Sequence, residues 1–258
     1  MSFIISTKAE LIKTKKSASF WLSMIGSAVI PVILFLIYVL MPEKNYAKFE
    51  QKPWETHFIQ GWQAFSLFLL PMFVILICSL IPQIEFKNNT WKQVFSSPQS
   101  TGHIFFSKYL AIIIMVLFLF LMFNTLMLLS GSTADLFYSK YTFLNRQIDW
   151  LTVIKINTKV FISLLAIIAM QYWLGLRFRN FIVPIGIGLG LLITCIMLTP
   201  WQHSNKLPYS LPFQAFLSME KDKADISVFG RQELYSIGYF AFFTIIAFLD
   251  LRFRKERG

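Results

Sequence analysis

Long stretches without charge alternate with short polar stretches along this chain. Six windows contain no Asp, Glu, Lys or Arg, and together they make up more than half of the sequence: 17–42, 56–84, 109–134, 160–176, 180–205 and 234–249. A helix needs about 20 mostly apolar residues to cross a bilayer, with a range of roughly 17–25. The pattern therefore predicts an all-α, polytopic membrane protein with six transmembrane helices.

The predicted spans form a single transmembrane domain that covers residues 1–258. They lie near 18–41, 61–84, 109–132, 160–176, 181–200 and 233–250. The fourth and sixth windows are the shortest, and sixteen helical residues reach only about 24 Å against a hydrocarbon core of about 30 Å. Lys159, Arg177 and Arg252 flank these windows and can extend towards the headgroups to make up the difference.

Composition agrees with this class of protein. Hydrophobic residues make up 56% of the chain and charged residues 14%, whereas a soluble domain carries about 25% charged residues. A soluble enzyme or a DNA-binding domain is therefore excluded. Because the charge lies between the apolar windows, the net charge of +11 indicates membrane topology and contact with anionic lipid rather than nucleic acid.

The loops between the windows indicate an orientation. Six spans place both termini on one side, together with 85–108 and 177–179, and place 43–55, 135–159 and 206–233 on the other. Lys and Arg are denser on the first side, and short basic loops mark the cytoplasm. We predict cytoplasmic termini and a multi-pass protein of the inner or plasma membrane. If either short window failed to span, the termini would lie on opposite sides.

The first sixteen residues have the pattern of an amphipathic helix. Phe3, Ile4, Leu11 and Ile12 can share one face, which lysines border. Such a helix can lie in the cytoplasmic interface, held by its apolar face and by anionic lipid. An ordinary basic flank that only orients the first span fits the residues equally well.

The loop at 85–108 carries a second short helical pattern. Trp91, Val94 and Phe95 recur at i, i+3 and i+4 after a capping Asn89 or Thr90, and a Ser-Pro pair at 97–98 ends the pattern. This two-turn helix needs an apolar surface to dock against. The alternative is that it lies flat on the lipid surface.

The segment at 201–233 combines prolines with a high density of aromatic residues. Pro208 and Pro212 break any long helix, while Trp201, Tyr209 and Phe213 suit the membrane–water boundary. Short re-entrant or interfacial pieces are expected on the outer side.

Several kinds of chemistry are missing from the sequence. No phosphate-binding loop, zinc-protease motif or serine-hydrolase elbow occurs. No apolar window contains a carboxylate, which disfavours ion-coupled transport. We therefore expect no catalytic residue, no metal and no cofactor on this chain.

A few polar and small residues remain inside the spans. Asn124 lies mid-span, where a hydrogen bond to a neighbouring helix is more common than a substrate contact. Gly186, Gly188 and Gly190 are interpreted as one smooth helix face for close packing, or as a flexible gating helix. Asn124, Gly186 and Gly190 are the candidates for a substrate path.

Three segments in this order resemble one family. These are 9–17 (AELIKTKKS), 85–108 (from EFKNNTWKQV to the closing SK) and 207–212 (LPYSLP). They are similar to parts of the permease subunits of type-2 ABC exporters, closest to the small six-span permeases of bacterial lantibiotic and bacteriocin self-protection systems. The outer loop at 135–159 is longer than the family pattern leads us to expect.

The resemblance implies a division of labour. A separate cytoplasmic ATP-binding cassette subunit hydrolyses ATP, two permease chains form the pathway as a homo- or heterodimer, and an outer re-entrant segment caps the exit. The residues implied in coupling to the ATPase are Glu85, Asn89, Thr90, Trp91, Lys92, Val94, Phe95, Ser97 and Pro98. Those implied at the membrane interface are Lys8, Glu10, Lys13, Lys15 and Lys16.

Two functions remain open from the sequence. The first is an exporter permease that moves an amphipathic peptide or lipid-like molecule outward, in antimicrobial-peptide immunity or efflux. The second is a non-transporting membrane anchor in a motility or sensory assembly. A neighbouring reading frame with nucleotide-binding motifs favours the first.

Overall fold

The computed structural model of the protein describes residues 3–15, 17–49, 51–88, 90–91, 93, 99–221 and 229–253. Helices account for nearly all of these residues, and strands for none of them. The α-helices are α1 Phe3–Thr14, α2 Ala18–Leu40, α3 Pro42–Phe49, α4 Pro53–Ala64, α5 Leu70–Lys87, α6 Thr101–Phe137, α7 Trp150–Arg177, α8 Ile182–Met197, α9 Leu211–Lys221 and α10 Arg231–Phe253.

Five helices in the described part of the chain are long and apolar enough to cross a membrane. They are Ala18–Leu40, Pro53–Lys87, Thr101–Phe137, Trp150–Arg177 and Arg231–Phe253. This confirms the all-α, polytopic membrane fold. The helix Ile182–Met197 is apolar but has only 16 residues, so the count of six spans stays a prediction.

The helices extend well beyond the charge-free windows. The fourth window begins at 160, but α7 begins at Trp150 and has 28 residues. Asp149 caps it, because its carboxylate accepts hydrogen bonds from the Thr152 amide at 3.3 Å and from the Thr152 hydroxyl at 2.7 Å. The assignment of all of 135–159 to a loop was therefore wrong, since only 138–149 separates α6 from α7.

The second long helix changes its winding midway. A π-helical turn at Phe65–Leu69 joins α4 to α5, and Pro71 lies just after it. Proline has no backbone N–H and cannot complete a regular helical turn, so an irregular turn is expected at this position. The two helices then continue as one 35-residue span.

Several contacts place both described chain ends at one end of the helical bundle, which we call the terminal end. Arg177 of α7 pairs with Asp250 of α10 at 2.7 Å. Gln83 of α5 donates to the Phe178 carbonyl at 2.8 Å, and α1 packs on the beginning of α6.

The opposite end of the bundle is closed by aromatic side chains. The Tyr38 hydroxyl lies 2.9 Å from His57 Nδ1, and Tyr141 donates to the Tyr38 carbonyl at 2.8 Å. The Trp54 indole donates to the Phe143 carbonyl at 2.8 Å. These bonds fasten residues 138–149 onto α2 and α4, so this loop is part of the packed structure.

Candidate functional site

The helix α1 turns its polar face towards the protein. Its buried residues are Ser6, Thr7, Glu10 and Thr14. Its apolar residues point the other way, and Ile4 and Ile12 are 74% and 63% exposed. An ordinary surface helix buries its apolar face, so α1 needs both polar partners inside the protein and an apolar medium outside it.

The polar partners are the charged residues of an ion cluster, which we define as Glu10, Lys13, Glu85 and Lys108. The Lys108 ammonium lies 2.7 Å from Glu10 Oε2 and 2.5 Å from Glu85 Oε1. The Lys13 ammonium lies 2.8 Å from Glu10 Oε1 and 3.0 Å from Glu85 Oε1. The cluster thus joins α1, the end of α5 and the beginning of α6 at the terminal end.

Burial makes these contacts far more consequential than surface ion pairs. The side chains of Glu85 and Lys108 are each 1% exposed, and that of Glu10 is 11% exposed. Two carboxylates face two ammonium groups, so the cluster is neutral overall. A buried charge without its partner is strongly destabilising, and each member therefore depends on the others.

The pKa values on α1 reflect this mutual dependence. Burial by itself raises the pKa of Glu10, but the charge and hydrogen bonds of Lys108 and Lys13 outweigh it and leave the pKa below 4.5. Burial by itself lowers the pKa of Lys13, and Glu10 and Glu85 more than offset it, leaving the pKa above 10.5. Both groups are therefore charged at neutral pH.

The beginning of the predicted coupling segment rests on the ion cluster. The Thr90 amide donates to the Glu85 carbonyl at 3.0 Å. The Trp91 ring lies against Phe86, with 5.2 Å between ring centroids, and the Lys108 ammonium is 5.6 Å from the Trp91 centroid. This cation–π geometry attaches the segment to the buried lysine.

The structure places the other predicted site residues as follows. Lys8 and Lys15 of α1 are exposed and Glu10 is buried, whereas the Lys13 side chain is 38% exposed and reaches Glu10 and Glu85 with its ammonium group. Lys16, Asn89, Lys92, Val94, Phe95, Ser97 and Pro98 lie outside the described residues.

A cavity of about 370 Å³ lies beside the ion cluster, between α1, α5 and the beginning of α6. Most of the residues that line it are polar, and they include Ser6, Glu10, Glu85, Thr90 and Gln99. Across it the Ser6 hydroxyl donates to Gln99 Oε1 at 3.1 Å. Thus α1 contacts the chain on both sides of the predicted coupling segment.

A second polar centre, the Gln171 node, lies within the spans and carries no charge. The Gln171 amide donates to Ser79 Oγ at 2.9 Å and to the Pro184 carbonyl at 2.6 Å, and it accepts from the Tyr209 hydroxyl at 2.8 Å. The node therefore joins α5, α7, α8 and the proline-bearing segment before α9.

The glycines of α8 face two directions, so the prediction that they form one smooth helix face was wrong. A Cβ added at Gly188 would lie 2.7 Å from Gln171 Oε1, whereas Gly186 and Gly190 have nothing within 4 Å. Positions 186 and 190 are one turn apart and share a face, but 188 lies across the helix from them. Gly188 is needed for the close approach of α8 to the Gln171 node.

Asn124 binds a neighbouring helix, as its mid-span position predicts. Its side-chain amide donates to Asn157 Oδ1 at 2.7 Å, and Asn157 donates in return at 3.1 Å. Asn157 belongs to α7, although the sequence had placed it in a loop. A role for Asn124 in a substrate path stays a prediction.

Comparison with known proteins decides the family. A family model described as an ABC-2 family transporter protein matches residues 6–195. The chain belongs to the ABC-2 transporter family. This ABC-2 protein is thus a permease component of an ABC transporter, and membership implies association with an ATP-binding subunit. No curated protein and no solved structure gives a significant match.

The matched region of this ABC-2 permease contains two of the three segments that suggested the resemblance. It includes 9–17 and 85–108, and it ends before 207–212. The whole ion cluster lies inside the matched region, as do Ser79, Gln171 and Pro184 of the Gln171 node. Tyr209 lies beyond it.

The sequence pattern does not show the ion cluster as a unit. Its members are up to 98 residues apart, and two of them lie just outside the edges of charge-free windows. Glu85 directly follows the second window, and Lys108 directly precedes the third. The useful signal was this placement, with opposite charges at adjoining ends of consecutive spans.

Proposed function

We propose that this chain is the permease subunit of an ATP-driven exporter whose terminal end faces the cytoplasm. The observation that carries the proposal is the ion cluster, because it attaches residues 90–91 to a buried lysine at the end of the bundle. The dense positive charge around this end supports a cytoplasmic orientation. In the proposed topology six helices cross the inner or plasma membrane, with α8 as the short fifth span.

The segment 85–98 is proposed to dock on a cytoplasmic ATP-binding cassette subunit, which hydrolyses ATP for the pair. Within this segment, the Trp91 ring faces Phe86 and Lys108 of the permease itself. It is therefore not proposed as a contact with the ATPase. Trp91 fixes the segment to the permease, which leaves Val94 and Phe95 as the proposed anchors towards the ATPase. Fixing one end of a docking segment reduces the ordering cost of binding.

The helix α1 is proposed to lie in the cytoplasmic leaflet. Its exposed Ile4, Ile5 and Ile12 supply the apolar face, while Lys8 and Lys15 supply contact with anionic headgroups. Because Glu10 and Lys13 are paired within the neutral ion cluster, they add no net charge to this outer face.

The complete transporter is proposed to contain two permease chains, with the proline-bearing segment and α9 capping the exit. The open face of α8 at Gly186 and Gly190 is compatible with close approach of another helix. The proposed cargo is an amphipathic peptide or a lipid-like molecule, exported in peptide immunity or in efflux. Asn124 remains a candidate contact on its path.

Reconstitution tests the proposal. The chain is purified from membranes of its host with any ATPase that accompanies it, and is incorporated into inside-out proteoliposomes. A dansyl-labelled cationic amphipathic peptide serves as the probe. We expect ATP-dependent uptake of the probe, which stops when the catalytic glutamate of the ATPase is replaced.

Three results would contradict the proposal. They are ATP hydrolysis by the chain alone, the absence of any nucleotide-binding partner, and a complex that binds and hydrolyses ATP without moving either the peptide or a fluorescent phospholipid. The last result would favour the membrane anchor.

A further inference from the structure

We propose that Glu10 and Lys13 are positioning residues for energy coupling, and that they make α1 a working part of the coupling apparatus. This inference rests on the proposed function, because it needs the segment 85–98 to receive the force of ATP hydrolysis. It adds a specific route, from that segment through Lys108 and Glu85 to α1.

The first step concerns Lys108, which contacts α1, α5 and the coupling segment at once. One buried ammonium contacts Glu10 of α1 and Glu85 of α5, and it lies over the ring of Trp91. A movement of residues 90–91 therefore displaces a charge that cannot leave its carboxylates without a large desolvation cost.

The second step concerns the two ends of the coupling segment. At its first residue, Lys13 binds Glu85, whose carbonyl accepts from the Thr90 amide. After it, Ser6 binds Gln99. These contacts make α1 a brace across both ends of the segment, which fixes how the segment is presented to a partner.

The third step concerns where a movement of α1 would lead. Ser17 lies three residues after the end of α1, and its amide donates to the Thr14 carbonyl at 3.0 Å. The first span, α2, then begins at Ala18. Because the turn between the helices is this short, a tilt of α1 changes the position of the first span.

A neutral double substitution tests the inference. Glu10→Gln with Lys13→Gln removes the α1 half of the cluster, but it keeps the Glu85–Lys108 pair and the net charge. The matched control is Lys52→Gln with Glu55→Gln, which removes another i, i+3 pair with a 2.7 Å contact that lies on α4 and its flank. All three complexes are reconstituted with the ATPase and the dansyl-labelled peptide.

We expect the Glu10/Lys13 variant to retain its ATPase subunit and its basal hydrolysis. The amount of peptide moved per ATP should fall by about fivefold or more, which is the size of effect expected when residues that interact energetically are removed. The control pair should keep the wild-type ratio. Linking Ser6→Cys to Gln99→Cys with a short bifunctional thiol reagent should restore the ratio in the variant, because the brace is then covalent. Cys78 and Cys195 are buried and do not compete.

An unchanged ratio in the Glu10/Lys13 variant would overturn the inference and leave the proposed function intact. Loss of the ATPase subunit from the variant would also overturn it, because the residues would then hold the interface rather than transmit force. If the wild-type complex shows no ATP-driven transport, the proposed function fails, and the inference fails with it.

Discussion

The ion cluster and the Gln171 node solve the same problem with different chemistry. Each joins at least three helices. The ion cluster does so with four charges at the terminal end of the bundle, and the Gln171 node does so with amide, hydroxyl and carbonyl groups inside the spans. Gln171 lies six residues before the end of α7, or about 9 Å along the helix.

The difference reflects the cost of removing a group from water. A charge in the hydrocarbon region is expensive even when paired, whereas a satisfied neutral hydrogen bond between membrane helices is worth only about 0.6 kcal/mol on average. Charges near a helix end lie closer to water and headgroups, so an ion cluster costs less there than it would inside the spans. The neutral hydrogen bonds of the Gln171 node hold the helices in place, and they are sensitive to how closely the helices pack but not to charge.

The largest expected effect follows from breaking the ion cluster at its centre. Lys108→Met leaves the buried Glu85 and Glu10 without their main cation, which costs about 3–5 kcal/mol for a buried pair. We expect a clear fall in the thermal unfolding midpoint of the purified protein in lipid nanodiscs. Lys8→Met, on the exposed side of α1, is the control and should have little effect; equal midpoints for the two variants would refute the central role of Lys108.

A smaller effect is expected from crowding the Gln171 node. Gly188→Ala places a Cβ within 2.7–2.9 Å of the Gln171 amide, and overpacking of this kind costs about 1–3 kcal/mol. Gly186→Ala is the matched control on the same helix, where nothing lies within 4 Å. We expect only the first variant to lower the unfolding midpoint, and a similar loss in both would show that helix flexibility, rather than contact with Gln171, is what matters.

The smallest effect is expected from acid, which acts on the ion cluster but not on the uncharged Gln171 node. Because the pKa of Glu10 is lowered below 4.5, its stabilising contribution is present above that value and is lost as the pH falls through the folded-state pKa. The pKa of Lys13 is raised, so its contribution persists until strongly alkaline pH. The docking of α1 should therefore be constant near neutral pH and weaken in acid.

Spin labels measure this difference directly. A pair on Ile12 of α1 and His103 of α6 should show a distance distribution that broadens as the pH is lowered from 7 through the acid range. A pair on Leu121 and Phe242, which are exposed on α6 and α10, should stay unchanged. A broadening of both pairs would mean that acid loosens the whole bundle and not the ion cluster.

The sequence by itself determined the class of protein and the approximate position of its helices. Charge-free windows identify hydrocarbon-spanning segments because water, lipid and backbone hydrogen bonding leave few alternatives to a helix. The same windows cannot show where a helix ends. Asp149 caps α7 eleven residues before its window, and Ser100 caps α6 nine residues before its window by accepting from the His103 amide at 3.2 Å.

The tertiary structure alone decided which polar groups meet. Periodicity assigned an apolar and a charged face to α1, but it could not show that Glu10 is buried and that Lys13 pairs with Glu85, while Ile4 and Ile12 remain exposed. Nor could it pair Gln171 with Tyr209 across 38 residues. Local patterns record the preference of each residue for water or lipid, whereas partner choice depends on how helices pack, which is a property of the whole chain.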